Sequence, residues 1–339
     1  MLLYMTLVES MRFYKVRCLE VRTPATIFAP LGWLATGVVC ATLLAAPVAT
    51  AQAPAPRTSG YLILRESYAR DAALTATLHR ARIQTDGSLP QRFSYRILVE
   101  YAAATGARTP STVSLRDASI RWNRASLSAQ AGQFKTPFAR EYVLPVPDLE
   151  TAEFATVIDS LAPKYDIGFM GEWAAPYASV SLGVFNGEGQ NVSANRDSAM
   201  LVVGRLVARP FAPISLGGSV ARYSPDSTRY GVEGVAEWHG LYTRAELIGQ
   251  HKRGRTRDDQ GWYVLSTVRL LPWLRAVGRV EDFQRPSLGQ ARRISAMTAG
   301  LDVELPGGRT RFLVNQTARR TGYPRIQRNS VIGQIQVRF

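Results

Sequence analysis

The sequence predicts an all-β fold, a transmembrane antiparallel β-barrel of about sixteen strands with an inward-folded third external loop. Three observations carry this. Polarity alternates with period two along most of the chain after Gln52. No stretch there holds twenty apolar residues, and turn signals recur after segments of about 10–12 residues. Strand side chains point alternately to opposite faces, so each such segment has one apolar and one polar face. A soluble β-sandwich gives the same alternation. Segment length, alternating short and long turns, and a last strand ending on the aromatic Phe339 favour the membrane barrel.

The first element is an address. Arg12, Lys15, Arg17 and Arg22 precede an apolar run from Ile27 to Val48, which ends in Ala49-Thr50-Ala51. A basic start, an apolar centre and an A-x-A site read as a secretory signal peptide over residues 1–51, leaving a barrel domain over 52–339. Met11 is an alternative start. A transmembrane anchor is the rival reading; small residues stand where a stop-transfer pattern needs charge, which favours the signal. Cys40 follows Val39, where a lipoprotein needs a small residue. Both cysteines, Cys18 and Cys40, fall in the removed segment, so neither a disulfide scaffold nor a Cys/His metal cluster is expected.

The strands follow in order. In Phe93–Tyr101 and Val331–Phe339 the odd positions are apolar or Gly and most even positions polar. Val232, Gly234, Ala236 and Trp238 alternate against Glu233, Val235, Glu237 and His239, and Ala276, Gly278 and Val280 against Arg275, Arg279 and Glu281. Extending the pattern places strands at 60–70, 74–86, 91–103, 113–123, 125–134, 165–175, 178–187 and 198–209. The second half holds 213–224, 228–238, 241–251, 260–271, 273–284, 294–305, 309–320 and 329–339. Every second connection is short and rich in turn residues: Asp86-Gly87, Asn123-Arg124, Ala175-Pro176-Tyr177, Pro210-Phe211-Ala212, His239-Gly240, Pro272 and Pro306-Gly307-Gly308. The other set holds the long insertions 135–164, 188–197, 252–259, 285–293 and 321–328. This parity puts the short turns in the periplasm and the long loops outside. Trp122, Trp173, Trp238, Trp262 and Trp273 fall near strand ends, as interfacial girdles do.

Charge comes next. Lys and Arg total 41 against 26 Asp and Glu, a net of +15 that removal of residues 1–51 lowers to +13. Almost all of it is arginine, since the only lysines are Lys15, Lys135, Lys164 and Lys252. A basic exported barrel points to small anions or lipid head groups and away from nucleic acid.

The longest insertion opens with Ala131-Gly132-Gln133-Phe134-Lys135-Thr136-Pro137-Phe138 and closes with Ala162-Pro163-Lys164-Tyr165-Asp166-Ile167-Gly168. A loop this long is usually functional or disordered. Upstream stand Arg80-Ala81-Arg82 with Gly87, Phe93-Ser94-Tyr95-Arg96 and Leu115-Arg116-Asp117-Ala118. In order and content, over roughly residues 80–170, these blocks resemble the phosphate-selective porin O and P family. The resemblance implies a homotrimeric channel of the bacterial outer membrane preferring phosphate or other anions, with the third external loop narrowing the pore. One departure stands out. The best-characterised members have a lysine-rich mouth, whereas here lysine is nearly absent and the loop 137–164 carries a net charge of −3. That departure bears on phosphate specificity and leaves the channel assignment untouched.

Alternation places Arg96, Arg121, Arg205, Arg244, Arg269, Arg275, Arg279 and Arg311 on the lumen face. There they either offer bidentate donors to a dehydrating anion or brace the wall against Glu100, Glu172, Glu233, Glu237, Glu246 and Glu281. Lys135 and Arg140 at the start of the long loop, and Lys164 at its end, are the candidate eyelet. Lys252, Arg253, Arg255, Arg257, Arg285, Arg292 and Arg293, with Arg319, Arg320, Arg325 and Arg328, form a candidate basic mouth that concentrates anions or binds lipopolysaccharide phosphates. Enzymatic chemistry is not expected, nor a cofactor or metal. His79, His239 and His251 lie on different strands, and no nucleophile elbow or phosphate-cradling Gly-rich loop occurs. The expected partners are small anions such as phosphate, lipopolysaccharide and outer-membrane lipid, and the outer-membrane assembly machinery acting through Phe339. A general, weakly selective diffusion porin and a closed structural barrel binding lipopolysaccharide remain alternatives.

Overall fold

The computed structural model describes residues 54–69, 73–104, 110–196, 198–223, 226–286, 292–322 and 326–339. The signal-peptide expectation for residues 1–51, Met11 and both cysteines lie outside the described residues, as does Arg325. No helix among the described residues is long and apolar enough to cross a membrane.

Sixteen antiparallel strands close into one barrel, each bonded to its neighbours in sequence and β1 bonded to β16. The strands are β1 (Arg57–Ala69), β2 (Thr75–Leu89), β3 (Phe93–Ala102), β4 (Thr112–Arg124), β5 (Leu127–Lys135), β6 (Tyr165–Ala174), β7 (Ala178–Phe185) and β8 (Leu201–Phe211). The second half has β9 (Ile214–Tyr223), β10 (Ser227–Trp238), β11 (Leu241–Lys252), β12 (Asp259–Leu271), β13 (Leu274–Arg285), β14 (Arg292–Glu304), β15 (Thr310–Thr321) and β16 (Ile326–Arg338). Closure removes the unpaired edges that an open sheet would present to lipid. At the seam, Gly60 and Phe339 exchange two backbone hydrogen bonds of 3.0 Å.

The alternation read from the sequence is the alternation seen. Leu62, Leu64, Ile83, Ile97, Ile120, Leu182, Val202 and Val232 stand exposed on the outer face, while Ile63, Arg65, Arg82, Glu100 and Glu233 are buried on the inner one. Trp238, Trp262 and Trp273 are exposed at strand ends, the position where amphipathic rings meet head groups.

Two short turns differ from expectation. Asn123 and Arg124 stay in β4, paired with Ser128 and Leu127, and the chain reverses at Ala125 and Ser126. The other lies between β2 and β3. Asp86 and Gly87 do not turn; they continue β2, paired with Arg96 and Tyr95 of β3. Asp86 accepts a 2.7 Å bond from Arg96, and Gly87 leaves room for the Tyr95 ring, which a Cβ would meet at 2.3 Å. The chain reverses instead at Gln91 and Arg92, both at positive φ.

Between β5 and β6, residues 136–164 leave the wall. They hold two short helices, α1 (Arg140–Val143) and α2 (Thr156–Leu161), and a single 3-10 turn at Val146–Asp148. The apolar core of the molecule lies here. Phe138, Tyr142, Val157, Ile158 and Leu161 of the loop pack with inward Phe185, Leu201, Val203, Ile248, Tyr263, Leu265 and Phe283 of the wall. Inward apolar side chains would be costly against water, and the loop covers them.

Candidate functional site

The glycine-to-proline block at the start of the loop works as a hinge plate. Gly132 sits at φ +118°, and a Cβ there would lie 2.2 Å from the Ala118 carbonyl oxygen, so only glycine lets β5 approach β4 so closely. Gln133 then donates to the Leu115 and Arg116 carbonyls. Phe134 meets Phe185 edge-on at 5.4 Å. The Lys135 ammonium donates to the carbonyls of Tyr142 and Leu144, each at 2.7 Å. Thr136 closes the base, its hydroxyl donating to Pro163 and its N–H to Lys164. At the other end, Asp166 accepts from the N–H groups of Ile167 and Gly187.

From this base the loop crosses to the opposite wall and is tied there. Glu246 of β11 accepts the N–H groups of Arg140 and Glu141, both at 2.7 Å. Arg244 binds Glu141 at 3.2 Å and Glu150 at 2.9 Å. Arg279 donates to the Thr151 hydroxyl and the Glu153 carbonyl. Thr156 bonds Glu281, Ala152 bonds Asn315, and Arg229 reaches the Leu161 carbonyl. Arg311 and Arg338 both donate to the Pro147 carbonyl. Burial pushes the Glu141 carboxyl above its ordinary range while the Arg244 and Arg279 guanidiniums pull it down, and burial likewise raises the Tyr142 phenol.

Several arginines expected on the open lumen therefore lie beneath the loop. Arg244, Arg279 and Arg311 are buried and spend their donors on the loop or, for Arg311, also on Asp302 at 2.7 Å. Their acidic partners, Glu141 and Glu150, are two of the five acids that give the loop its negative charge. Arg275 is half-open and paired with Asp302 at 2.6 Å, and Arg205 binds Glu233 at 2.5 Å. Arg269 is exposed. The eyelet candidates do not converge. Lys135 holds the loop base, Lys164 pairs with Asp159 on the same loop at 2.9 Å, and Arg140 starts α1 with its Nε buried and unpaired.

A second charged cluster lies on the inner face of β2 to β4. Glu100 of β3, fully buried, collects three guanidiniums: Arg82 through Nε at 2.9 Å, Arg116 at 2.7 Å and Arg80 at 3.4 Å. Below them, toward the short turns, Arg96 pairs with Asp86 and Arg121 with Glu172, their side chains 49% and 37% exposed. A cavity of about 500 Å³ runs past Arg57, Asp86, Arg96, Ser119, Arg121 and Gln130. Arg80, Arg82 and Arg116 were not among the predicted site residues. The signal was present: Arg80 and Arg82, two apart, share a face with Glu100.

At the long-loop rim, Lys252, Arg255 and Arg285 converge on Asp259 at 3.1, 3.9 and 3.5 Å. Arg253, Arg257, Arg292 and Arg328 are exposed there. Arg293 differs from its expected place at the mouth. It bonds Asp282, which pairs across the strands with Trp262 on the outer surface, because the register turns Ile294 inward.

The phosphate-selective porin O and P family model matches residues 65–232. The chain carries the signature of that outer-membrane porin family. The match contains the hinge plate, the Glu100 cluster and both strands that carry the loop. The porin's place is therefore the bacterial outer membrane. No curated protein matches the chain. Among solved structures, OmpT of Vibrio cholerae aligns with a TM-score of 0.64 at 11% identity, covering 84% of this chain and 97% of that one. The outer membrane channel DcaP of Acinetobacter baumannii gives 0.62 at 13% identity, with 84% and 97% covered. An anion-selective porin from Comamonas acidovorans gives 0.58 at 8% identity, with 84% and 99% covered. At these identities the likeness is one of fold.

Proposed function

We propose that this porin is a passive, water-filled channel that prefers anions, with phosphate or a related oxyanion among its solutes. The observation that carries this is the gathering of three guanidiniums, Arg80, Arg82 and Arg116, on the single carboxylate of Glu100 on the inner wall. Such a surplus supplies charge-assisted donors to an anion that loses water in a narrow passage. Half-exposed Arg96 and Arg121 extend the basic path toward the short turns. The description of the matching family and the anion selectivity of the Comamonas acidovorans porin support the same reading. Reversal potentials in a potassium chloride gradient across planar bilayers test it: chloride preference is expected, and cation preference would sink it.

A general diffusion porin is the second reading. It is favoured by the one-to-one pairing of Arg96, Arg121, Arg205 and Arg275 with acids, which cancels much of the field they project. It predicts permeability ratios near unity.

Assembly as a homotrimer is part of the proposal, supported by a trimer form of Vibrio cholerae OmpT. So are export by a signal peptide over 1–51, lipopolysaccharide contact at the exposed rim arginines, and docking of the assembly machinery at the exposed Phe339 ring.

A further inference from the structure

On the long-loop side of the lumen, between the loop and strands β1, β2, β15 and β16, lies a second cavity of about 320 Å³. Its two walls differ in kind. One wall carries Arg80 and Arg319, with Arg65 already bonded to Gln334, Glu153 and the Ala152 carbonyl; the other, from the loop, carries Val146, Leu149 and Phe154 beside the polar Glu153, Asp159 and Ser160. The Arg319 side chain makes no hydrogen bond or ion pair among the described residues, and the Arg80 Nε is buried and unpaired. These donors therefore stand unspent beside an apolar surface.

The geometry points to a binding site for a small organic monoanion with an apolar body, such as an aromatic carboxylate. The inference rests on the anion-channel reading and names a solute class for it. A phosphate has no apolar surface to set against Val146, Leu149 and Phe154. The Glu153 carboxylate, half-exposed in the same cavity, pairs with Arg65 at 3.4 Å and cancels that guanidinium's charge, which leaves Arg80 and Arg319 to meet the ligand's anionic end. A carboxylate at one end satisfies the arginines, and a ring at the other covers Val146 and Phe154. The volume lies at the lower end of the range for small-ligand sites.

The test is block of chloride current by benzoate, acetate and phosphate, using the folded protein in planar bilayers. Benzoate is expected to reach half-block at a concentration about tenfold below acetate and phosphate, the worth of burying one small apolar group. Arg319→Gln should raise the benzoate value about tenfold by removing one charged donor. Val146→Ser should raise it for benzoate more than for acetate. Equal half-block by benzoate and acetate would overturn the inference, as would strongest block by phosphate. Loss of chloride preference in the reversal potential tells instead against the anion-channel reading, so the two failures are distinct.

Discussion

Arg244 on β11 and Glu141 on α1 meet at 3.2 Å with both side chains at 0% exposure. A wall residue and a loop residue thus share a buried ion pair in the middle of a channel. Removing one partner leaves the other charge buried without compensation, which typically costs about 3–5 kcal/mol. Arg244→Ala is therefore expected to free the loop from its seat while the strand ladder stays intact. Single-channel recordings should show a larger, noisier conductance than wild type. A quiet trace of unchanged size would mean that Glu246 and Arg279 hold the loop unaided.

The Glu100 cluster should set the sign of selectivity. Glu100→Gln adds one net positive charge to the inner wall, and Arg82→Gln removes one. A unit charge about 6 Å from the ion path in a water-like dielectric is worth about 0.7 kcal/mol, or roughly threefold in a permeability ratio. Reversal potentials should move toward anions in the first variant and away in the second. Shifts of the same direction in both would remove the cluster from the path.

Lys135 should behave differently from Arg82 although both are cations near the loop. Its ammonium is committed to two loop carbonyls. Lys135→Met is expected to loosen the loop base by about 2 kcal/mol, the worth of a charged hydrogen bond, with little change in reversal potential. Protease cleavage within residues 136–164 should quicken. A selectivity change as large as that of Arg82→Gln would restore Lys135 to the eyelet.

Selectivity should also weaken with salt. Arg96 and Arg121 are open to solvent on the β2–β5 wall. Screening shortens from about 10 Å at 0.1 M to about 3 Å at 1 M. The chloride-to-potassium permeability ratio should fall between these concentrations, and a constant ratio would place selection at buried groups instead.

The barrel was legible because period two is a local property. Each of Ile97, Val99 and Tyr101 shows its face through its neighbours alone, and the sixteen strands follow within a few residues of their expected limits. The channel was only partly legible because pairing across the lumen is not local. Nothing near Arg279 or Arg311 announces that a loop more than a hundred residues earlier will cover them. A trace did exist: Leu201–Val203, Leu247-Ile248 and Val264-Leu265 are apolar on both faces. A lumen face that turns apolar marks the wall against which something packs, and the inner members Leu201, Val203, Ile248 and Leu265 are those the loop covers. The Asp86-Gly87 turn failed for a related reason. The residues that keep it extended, Arg96 and Tyr95, lie on the next strand.

The hinge plate offers the sharpest stability test because a matched control lies in the adjoining strand. Gly132 combines a positive φ with a backbone oxygen 2.2 Å from where a Cβ would stand, whereas Gly171 on β6 has open space around that position. Gly132→Ala must push β4 and β5 apart or twist the backbone, at a cost of at least about 1–3 kcal/mol. That shift would also displace Gln133 from the Leu115 and Arg116 carbonyls and carry Lys135 away from the loop. Gly171→Ala meets nothing and should fold as wild type does. Heat-modifiable gel mobility after refolding in detergent reads the difference as the fraction of compact barrel. Equal folded fractions for the two variants would show that the close approach at Ala118 relaxes freely, and that this glycine serves the loop in some way other than by letting the strands touch.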